Sequence, residues 1–249
     1  MSDTFLESIG KEDTIYRDEA GFDDNFKLDI DFAKMEFVET LKVSEASSIF
    51  HVNYCGEPRV LKVFHNNGDP GYACNHIQDL SRSRCEIRAY CRLKQSKICD
   101  SGTVPNFYGF MLAIDPANCA PYLDAFRHDT DFPSAILIEY LPKPLEMNCV
   151  TYTAERMQKA VIGIQKIHSA LVEHNDPYPK NILIVPSDQG DQERVIWVDF
   201  DIAIVYPNDT YIETRRSGRI EFETEVVESF GRLLEKDQKQ GLPPNTKYY

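Results

Sequence analysis

The strongest constraint on this chain lies between His174 and Asp199, where polar side chains with ligating chemistry bracket two short apolar runs. His174-Asn175-Asp176-Pro177-Tyr178-Pro179-Lys180 leads into Asn181 and a β-rich run over 181–185; a polar stretch, 187–193, separates it from a second run over 195–198 that ends at Asp199. The eighteen residues from Asn181 to Asp199 are about the length of a hairpin that returns to its start, which sets both side chains on one edge. Two prolines within three residues restrict the loop ahead of it. Asp176, following a helix-patterned segment, is then placed to orient or deprotonate an attacking hydroxyl, and Asn181 and Asp199 offer the hard oxygen donors that Mg²⁺ prefers. An Asx-rich turn between helix and strand accounts equally well for 174–176, but not for an amide that opens an apolar strand.

A second odd placement is Lys62, inside the apolar run Val60-Leu61-Lys62-Val63-Phe64. Charge is seldom buried in a strand without a partner, although an edge-strand lysine is the common alternative. Glu86, on the helix expected over 81–95, supplies a candidate partner; a lone helix glutamate is otherwise simply solvated.

The remaining periodicities organise the chain around these residues. Runs over 35–43, 48–54 and 60–64 read as an antiparallel three-stranded meander with its last turn at Cys55-Gly56-Glu57-Pro58. A helix over 81–95 carries Cys85, Ala89 and Leu93 along one stripe. Strand candidates follow at 106–114 and 134–140, split by a Pro- and Asp-rich excursion, and Leu141-Pro142-Lys143-Pro144 reads as a hinge. A helix over 153–172 places Met157, Val161, Ile164, His168 and Leu171 on a buried stripe. After 199 the pattern is loop-like until an amphipathic helix over 221–236, and Pro243-Pro244 ends the regular structure.

Composition narrows the partners. A net charge of −13 argues against a nucleic-acid surface, because phosphate backbones are held mainly by Lys and Arg. A bound nucleotide is not excluded, since one lysine and a magnesium ion can neutralise its phosphates. Residues 1–32 carry ten acidic against three basic side chains, the bias of a mobile or loosely docked arm that is either a solvated tail or an acidic interaction segment. Seven scattered cysteines form no CxxC pair and read as reduced thiols, with Cys85 and Cys91 as packing residues. No apolar run is long enough to span a bilayer and the first residues lack a secretory pattern, so an intracellular location, cytoplasmic or nuclear, is expected.

Lys62, then Glu86, then Asp176 with Asn181 five residues on, then Asp199-Phe200 occur in an order far more specific than any one element. In this the chain resembles the protein-kinase-like superfamily, over about residues 35–203. The resemblance implies a two-lobed α+β fold: an N-lobe over 35–141 with a five-stranded antiparallel sheet and a helix, and a truncated, mainly helical C-lobe over 142–240, between an arm (1–34) and a tail (241–249). It implies ATP and Mg²⁺ as cofactors. Lys62 would contact phosphates, Glu86 would hold Lys62, Asp176 would be the catalytic aspartate, and Asn181 and Asp199 the metal ligands. Ile138 would be the gatekeeper, and Glu139 and Leu141 would offer backbone groups to adenine. Residues 85–94 together with 197–201 are further similar to small fungal kinase-like proteins, some classified with a kinetochore Sim4-complex subunit family.

The pattern departs from that superfamily at three points. Residues 43–49 contain no glycine where a glycine-rich loop should cover phosphates, and Glu45 adds negative charge there. Tyr178 stands where a lysine usually steadies the transferred group, leaving open whether Lys180 reaches the same place, and Asp201 replaces the glycine after Asp199-Phe200. Only fifty residues follow Asp199, too few for a complete peptide-docking platform; among them Arg215-Arg216-Ser217-Gly218-Arg219 reads as a basic docking or modification site or as a solvated loop. The expected function is phosphoryl transfer from ATP to a hydroxyl of a protein Ser/Thr or a small molecule. The alternative is a catalytically weak binding or assembly subunit.

Overall fold

The computed structural model describes residues 20–74, 76–186 and 193–244. The fold is α+β, built on a five-stranded antiparallel sheet of order β1-β2-β3-β5-β4. Its strands are β1 (Met35–Val43), β2 (Ser47–Tyr54), β3 (Glu57–Phe64), β4 (Phe107–Met111) and β5 (Ser134–Glu139). Between β3 and β4 runs α1 (Arg82–Gln95).

The meander closes more tightly than its composition suggests. Tyr54 pairs directly with Glu57, so the turn is Cys55-Gly56 alone, both at positive φ (54° and 83°), the twist that a two-residue hairpin needs. Glu57 and Pro58 belong to β3, and Pro58 is tolerated because pairing with β5 begins only at Arg59. Strand β1 is an edge, exposed along most of its length, and its two register shifts and charged Glu36, Glu39 and Lys42 blunt it.

Helix α1 is buried nearly all round, not along one stripe: Cys85, Glu86, Ile87, Arg88, Ala89, Tyr90, Cys91 and Leu93 are all buried. The sheet covers one side, and the chain before β1 covers another. Arg88 Nε donates to the Ala20 carbonyl at 2.8 Å, Gln95 Nε2 to Asp23 at 2.8 Å, and Phe22 and Phe26 pack edge-on against Phe110 and Phe107. Residues 20–34 of the expected acidic arm are therefore docked, because aromatics are interleaved with the carboxylates; residues 1–19 lie outside the described residues. Gly109, at φ 146°, makes this possible, since a Cβ there would stand 2.4 Å from the Phe26 carbonyl oxygen.

The second half packs helices against a small sheet. It contains β6 (Leu145–Glu146), α2 (Ala154–Ser169), β7 (Val172–Glu173), β8 (Ile182–Val185), β9 (Arg194–Trp197), β10 (Ile204–Val205), α3 (Asp209–Arg215) and α4 (Arg219–Lys239). Strands β8 and β9 pair antiparallel with Ile182 opposite Trp197, as the expected hairpin requires; its turn falls largely outside the described residues. Trp197, fully buried, donates Nε1–H to the Ala160 carbonyl at 2.9 Å and lies against Gly163, where a Cβ would meet the indole at 3.0 Å. The buried stripe of α2 is Met157, Ala160, Gly163, Ile164, Ile167 and His168, so the expected places of Val161 and Leu171 are taken by Ala160 and Ile167.

Two further expectations are revised. The segment after β10 is not wholly loop, because Asn208 accepts the Tyr211 amide and caps α3. Arg216 and Arg219 form neither a free docking patch nor a solvated loop: both pair with the buried carboxylate of Glu173 at 2.9 Å. All seven cysteines are free thiols, and burial pushes Cys85 up to about 12 and Cys91 to about 11, as packing residues behave. Among the described residues no helix is long and apolar enough to cross a membrane.

Candidate functional site

Where the sheet meets the helical half, a cleft of about 490 Å³ opens, and of the sequence-derived site residues Lys62, Glu86, Ile138, Glu139, Leu141, Asn181 and Asp199 line it, whereas Asp176 stands outside its lining, beside Asn181. Its inner end is a three-way charge cluster. Lys62 Nζ lies 2.5 Å from Glu86 Oε2 and 2.7 Å from Asp199 Oδ1, joining β3, α1 and the segment after β9. Lys62 and Glu86 are 4% and 1% exposed. Burial alone would lower the Lys62 pKa, but the carboxylates of Glu86 and Asp199 outweigh it and hold the ammonium above its ordinary range. Burial likewise opposes ionisation of Asp199, yet Lys62, with help from Lys42 and His174, keeps it below the usual carboxylate value. Glu86 shares its cation with Asp199, and burial, only partly offset by Lys62, pushes it up to about 7.

Asp199 sits at φ 68°, left-handed for a residue with a side chain, and so do Asn175 at 65° and Leu171 at 62°. Such backbone costs energy and persists only where surrounding contacts over-determine it. Here those contacts are visible. The Val198 amide donates to the Asn181 carbonyl at 3.0 Å, and His174 Nε2 lies 3.0 Å from the Val198 carbonyl oxygen, tying residues 174–181 to the approach to Asp199.

Asp176 and Asn181 form the second group. Asn181 Nδ2 donates to both the Asp176 carbonyl and Asp176 Oδ2, each at 2.9 Å, which leaves the amide oxygen for another partner. Lys180 Nζ lies 3.2 Å from Asp176 Oδ2, so Lys180 does reach the aspartate, whereas Tyr178 turns to Phe230 with ring centroids 5.1 Å apart. The two groups are linked through main chain, not by side-chain contact. Asn181 Oδ1 and the free oxygen of Asp199 fit a hard cation only if further oxygens complete the shell, for among the described residues no cluster of three or more His, Cys, Asp or Glu could hold a metal unaided.

Ile138, Glu139 and Leu141 line the more apolar part of the cleft with Val60 and Leu183. Ile138 and Leu141 are buried. The Glu139 side chain turns to Arg194, at 2.6 and 3.1 Å, and to the Asn106 amide, while its own N–H donates to the Asn106 carbonyl at 2.9 Å.

Several residues that shape the site were not singled out from sequence. Glu223, on α4 and 3% exposed, accepts the His174 and Asn175 amides at 2.9 and 2.6 Å and pairs with His168 at 2.7 Å. It sets the backbone immediately before Asp176. Its signal was its place on the stripe Glu223, Val227, Leu234, where a carboxylate among core positions demands donors. Tyr90 packs between Phe107 and Phe200, and Phe200 in turn meets His174, with centroids 5.3, 5.5 and 4.7 Å apart; this aromatic column runs from the sheet into the helical half. Asn175 Nδ2 donates to Gln78 at 2.8 Å and Arg82 pairs with Asp201 at 2.6 Å, two more ties across the same boundary.

No family model matches the chain, and a search of curated proteins finds no significant relative.

Proposed function

We propose that this chain is a protein-kinase-like phosphotransferase that binds ATP with Mg²⁺ in the cleft and transfers the γ-phosphoryl group to a hydroxyl. The observation that carries the reading is the buried Lys62 held at once by Glu86 and Asp199 in a cleft that is also lined by apolar residues such as Val60, Ile138, Leu141 and Leu183. A purine suits the wall of Ile138, Leu141, Val60 and Leu183; a triphosphate suits the charged end. On this reading residues 35–141 and 142–240 are the two lobes.

Each residue then has a defined task. Glu86 keeps the Lys62 ammonium pointed into the cleft, where it neutralises charge on phosphate oxygens. Asp176 accepts the proton of the attacking hydroxyl as the bond to phosphorus forms and ADP leaves, and Asn181 and Lys180 fix its orientation. Asn181 and Asp199 would hold Mg²⁺, which supplies neutralisation of the phosphate charge. Glu223 holds the amides ahead of Asp176, so the carboxylate is set before any acceptor arrives. The acceptor class is a protein Ser/Thr or small-molecule hydroxyl.

A second reading, a catalytically weak or inactive binding or assembly subunit of the kind the kinetochore resemblance implies, draws on Glu45, which lines the charged end of the cleft and would repel phosphates. One pair of measurements separates them. Purified chain incubated with Mg·ATP should transfer or release phosphate, and Asp176→Ala should abolish this. Thermal stabilisation by Mg·ATP without turnover would favour the binding subunit, and no stabilisation in wild type or Asp199→Asn would sink nucleotide binding altogether.

A further inference from the structure

Beyond Lys62 the cleft continues into a recess of about 320 Å³ between the β1–β2 loop, the start of α1 and residues 199–201. If phosphates enter it, the backbone of that loop is poorly placed to receive them. The Ala46 and Ser47 amides donate to the Ser44 hydroxyl at 3.3 and 3.1 Å, and the Ser44 amide donates to the Ser47 carbonyl at 2.9 Å. A glycine-rich loop would present such amides to a ligand; here three of them are spent within the turn.

Side-chain cations stand in the same space. Lys42, from β1, lines the recess together with Asp199. Arg82, from the first turn of α1, faces it from the other wall with its side chain half exposed and Nη1 2.6 Å from Asp201 Oδ2. Lys62 is already committed to Glu86 and Asp199 within the protein. Lys42 and Arg82 are thus the lining cations with charge to offer a polyanion at the outer end.

We infer that phosphate recognition in this chain runs through Lys42 and Arg82 in place of loop amides, with Arg82 exchanging Asp201 for terminal phosphate oxygens when a nucleoside triphosphate binds. The inference rests on the nucleotide reading above and deepens it. A guanidinium fork suits phosphate oxygens, and the Arg82 side chain, 50% exposed, can swing toward them, while the Asp201 carboxylate it leaves is 13% exposed. Asp201, standing where a glycine is usual in the resembling family, then acts as an internal competitor that occupies Arg82 until phosphate replaces it. Recognition by cations favours triphosphate over the bare nucleoside and, unlike recognition by uncharged amides, loses affinity steeply with rising salt.

The test is calorimetric titration of the full chain with Mg·ATP, Mg·ADP and adenosine, for wild type, Lys42→Ala, Arg82→Ala, Arg82→Lys and Asp201→Asn, after melting curves without ligand confirm that each variant folds. Arg82→Ala and Lys42→Ala should each weaken ATP about tenfold or more, the scale of one charge-assisted contact, and leave adenosine unchanged. Arg82→Lys should recover part of the loss, and Asp201→Asn should tighten ATP by freeing the guanidinium. The clamp is overturned if either alanine variant leaves ATP affinity unchanged or weakens adenosine equally. It is also overturned if Asp201→Asn fails to tighten ATP, since the ion pair would then be a latch between α1 and residues 199–201. Wild type that binds adenosine and ATP equally well keeps the cleft reading and removes the clamp; wild type that binds neither removes both.

Discussion

At the inner end of the cleft Lys62 and Glu86 are 4% and 1% exposed, and three charges from three elements meet; at the rim the side chains of Arg82 and Lys180 are 50% and 53% exposed, and each holds one part-buried carboxylate. The distances are alike, but the surroundings are not. Away from water, removing one partner leaves charge that nothing else compensates, so the inner cluster locks sheet, helix and the approach to Asp199 into one arrangement. At the rim, water and salt reach the cation of each pair, so those pairs hold the fold less firmly. The inner end specifies a shape, and the rim specifies what that shape receives.

The sharpest way to break this contrast is Lys62→Ala. It leaves the buried Glu86 and the partly exposed Asp199 beside each other without a cation and should cost about 3–5 kcal/mol in urea unfolding. A loss below about 1 kcal/mol would put the inner end on the same footing as the rim. Next is Glu223→Ala, which removes the acceptor of two buried amides and of His168; a cost on the order of 3 kcal/mol is expected, with Glu223→Gln recovering part of it.

A smaller effect follows from Glu86, whose pKa burial raises from 4.5 to about 7. Between those values the folded protein keeps a proton that the unfolded chain has released, so this residue's contribution to stability declines as pH rises through the window. Chemical denaturation from pH 4.5 to 7 should therefore show a slope in wild type that Glu86→Gln flattens; parallel profiles would contradict the assignment. Smallest is Lys180→Ala, where stability should change by no more than about 0.5 kcal/mol while phosphoryl transfer falls through misorientation of Asp176. A large unfolding penalty there would show that the rim, too, is structural.

How much of this was legible in the sequence depended on whether local order carried the information. The strand holding Lys62, the helix holding Glu86 and the hairpin from Asn181 toward Asp199 follow from periodicity and spacing, because each is a local pattern with one low-energy conformation. The ends of elements were less legible. The expected strand over 106–114 is 107–111, the helix over 153–172 stops at Ser169, and that over 221–236 extends to Arg219–Lys239, since caps and packing decide where a helix ends. Docking of residues 20–34 was hidden because Phe22 and Phe26 are outnumbered by carboxylates, and only Gly109 on a distant strand makes room for them.

The sequence by itself determined most of the longer elements and the identity of several residues that line the cleft, because both are written in short-range spacing. Only the tertiary structure decided their electrostatic meaning. Glu86 reads as a partner for Lys62 or as a solvated helix glutamate, and Arg216 as part of a docking site or of a solvated loop, until the fold removes water from around them and supplies each with a partner from far along the chain. Likewise the absence of glycine before β2 marked a departure, but its consequence, loop amides spent on Ser44 while Lys42 and Arg82 face the recess, emerges only when the β1–β2 loop, α1 and residues 199–201 are brought together. Burial is a property of the whole chain, and burial sets the strength of every charge in the site.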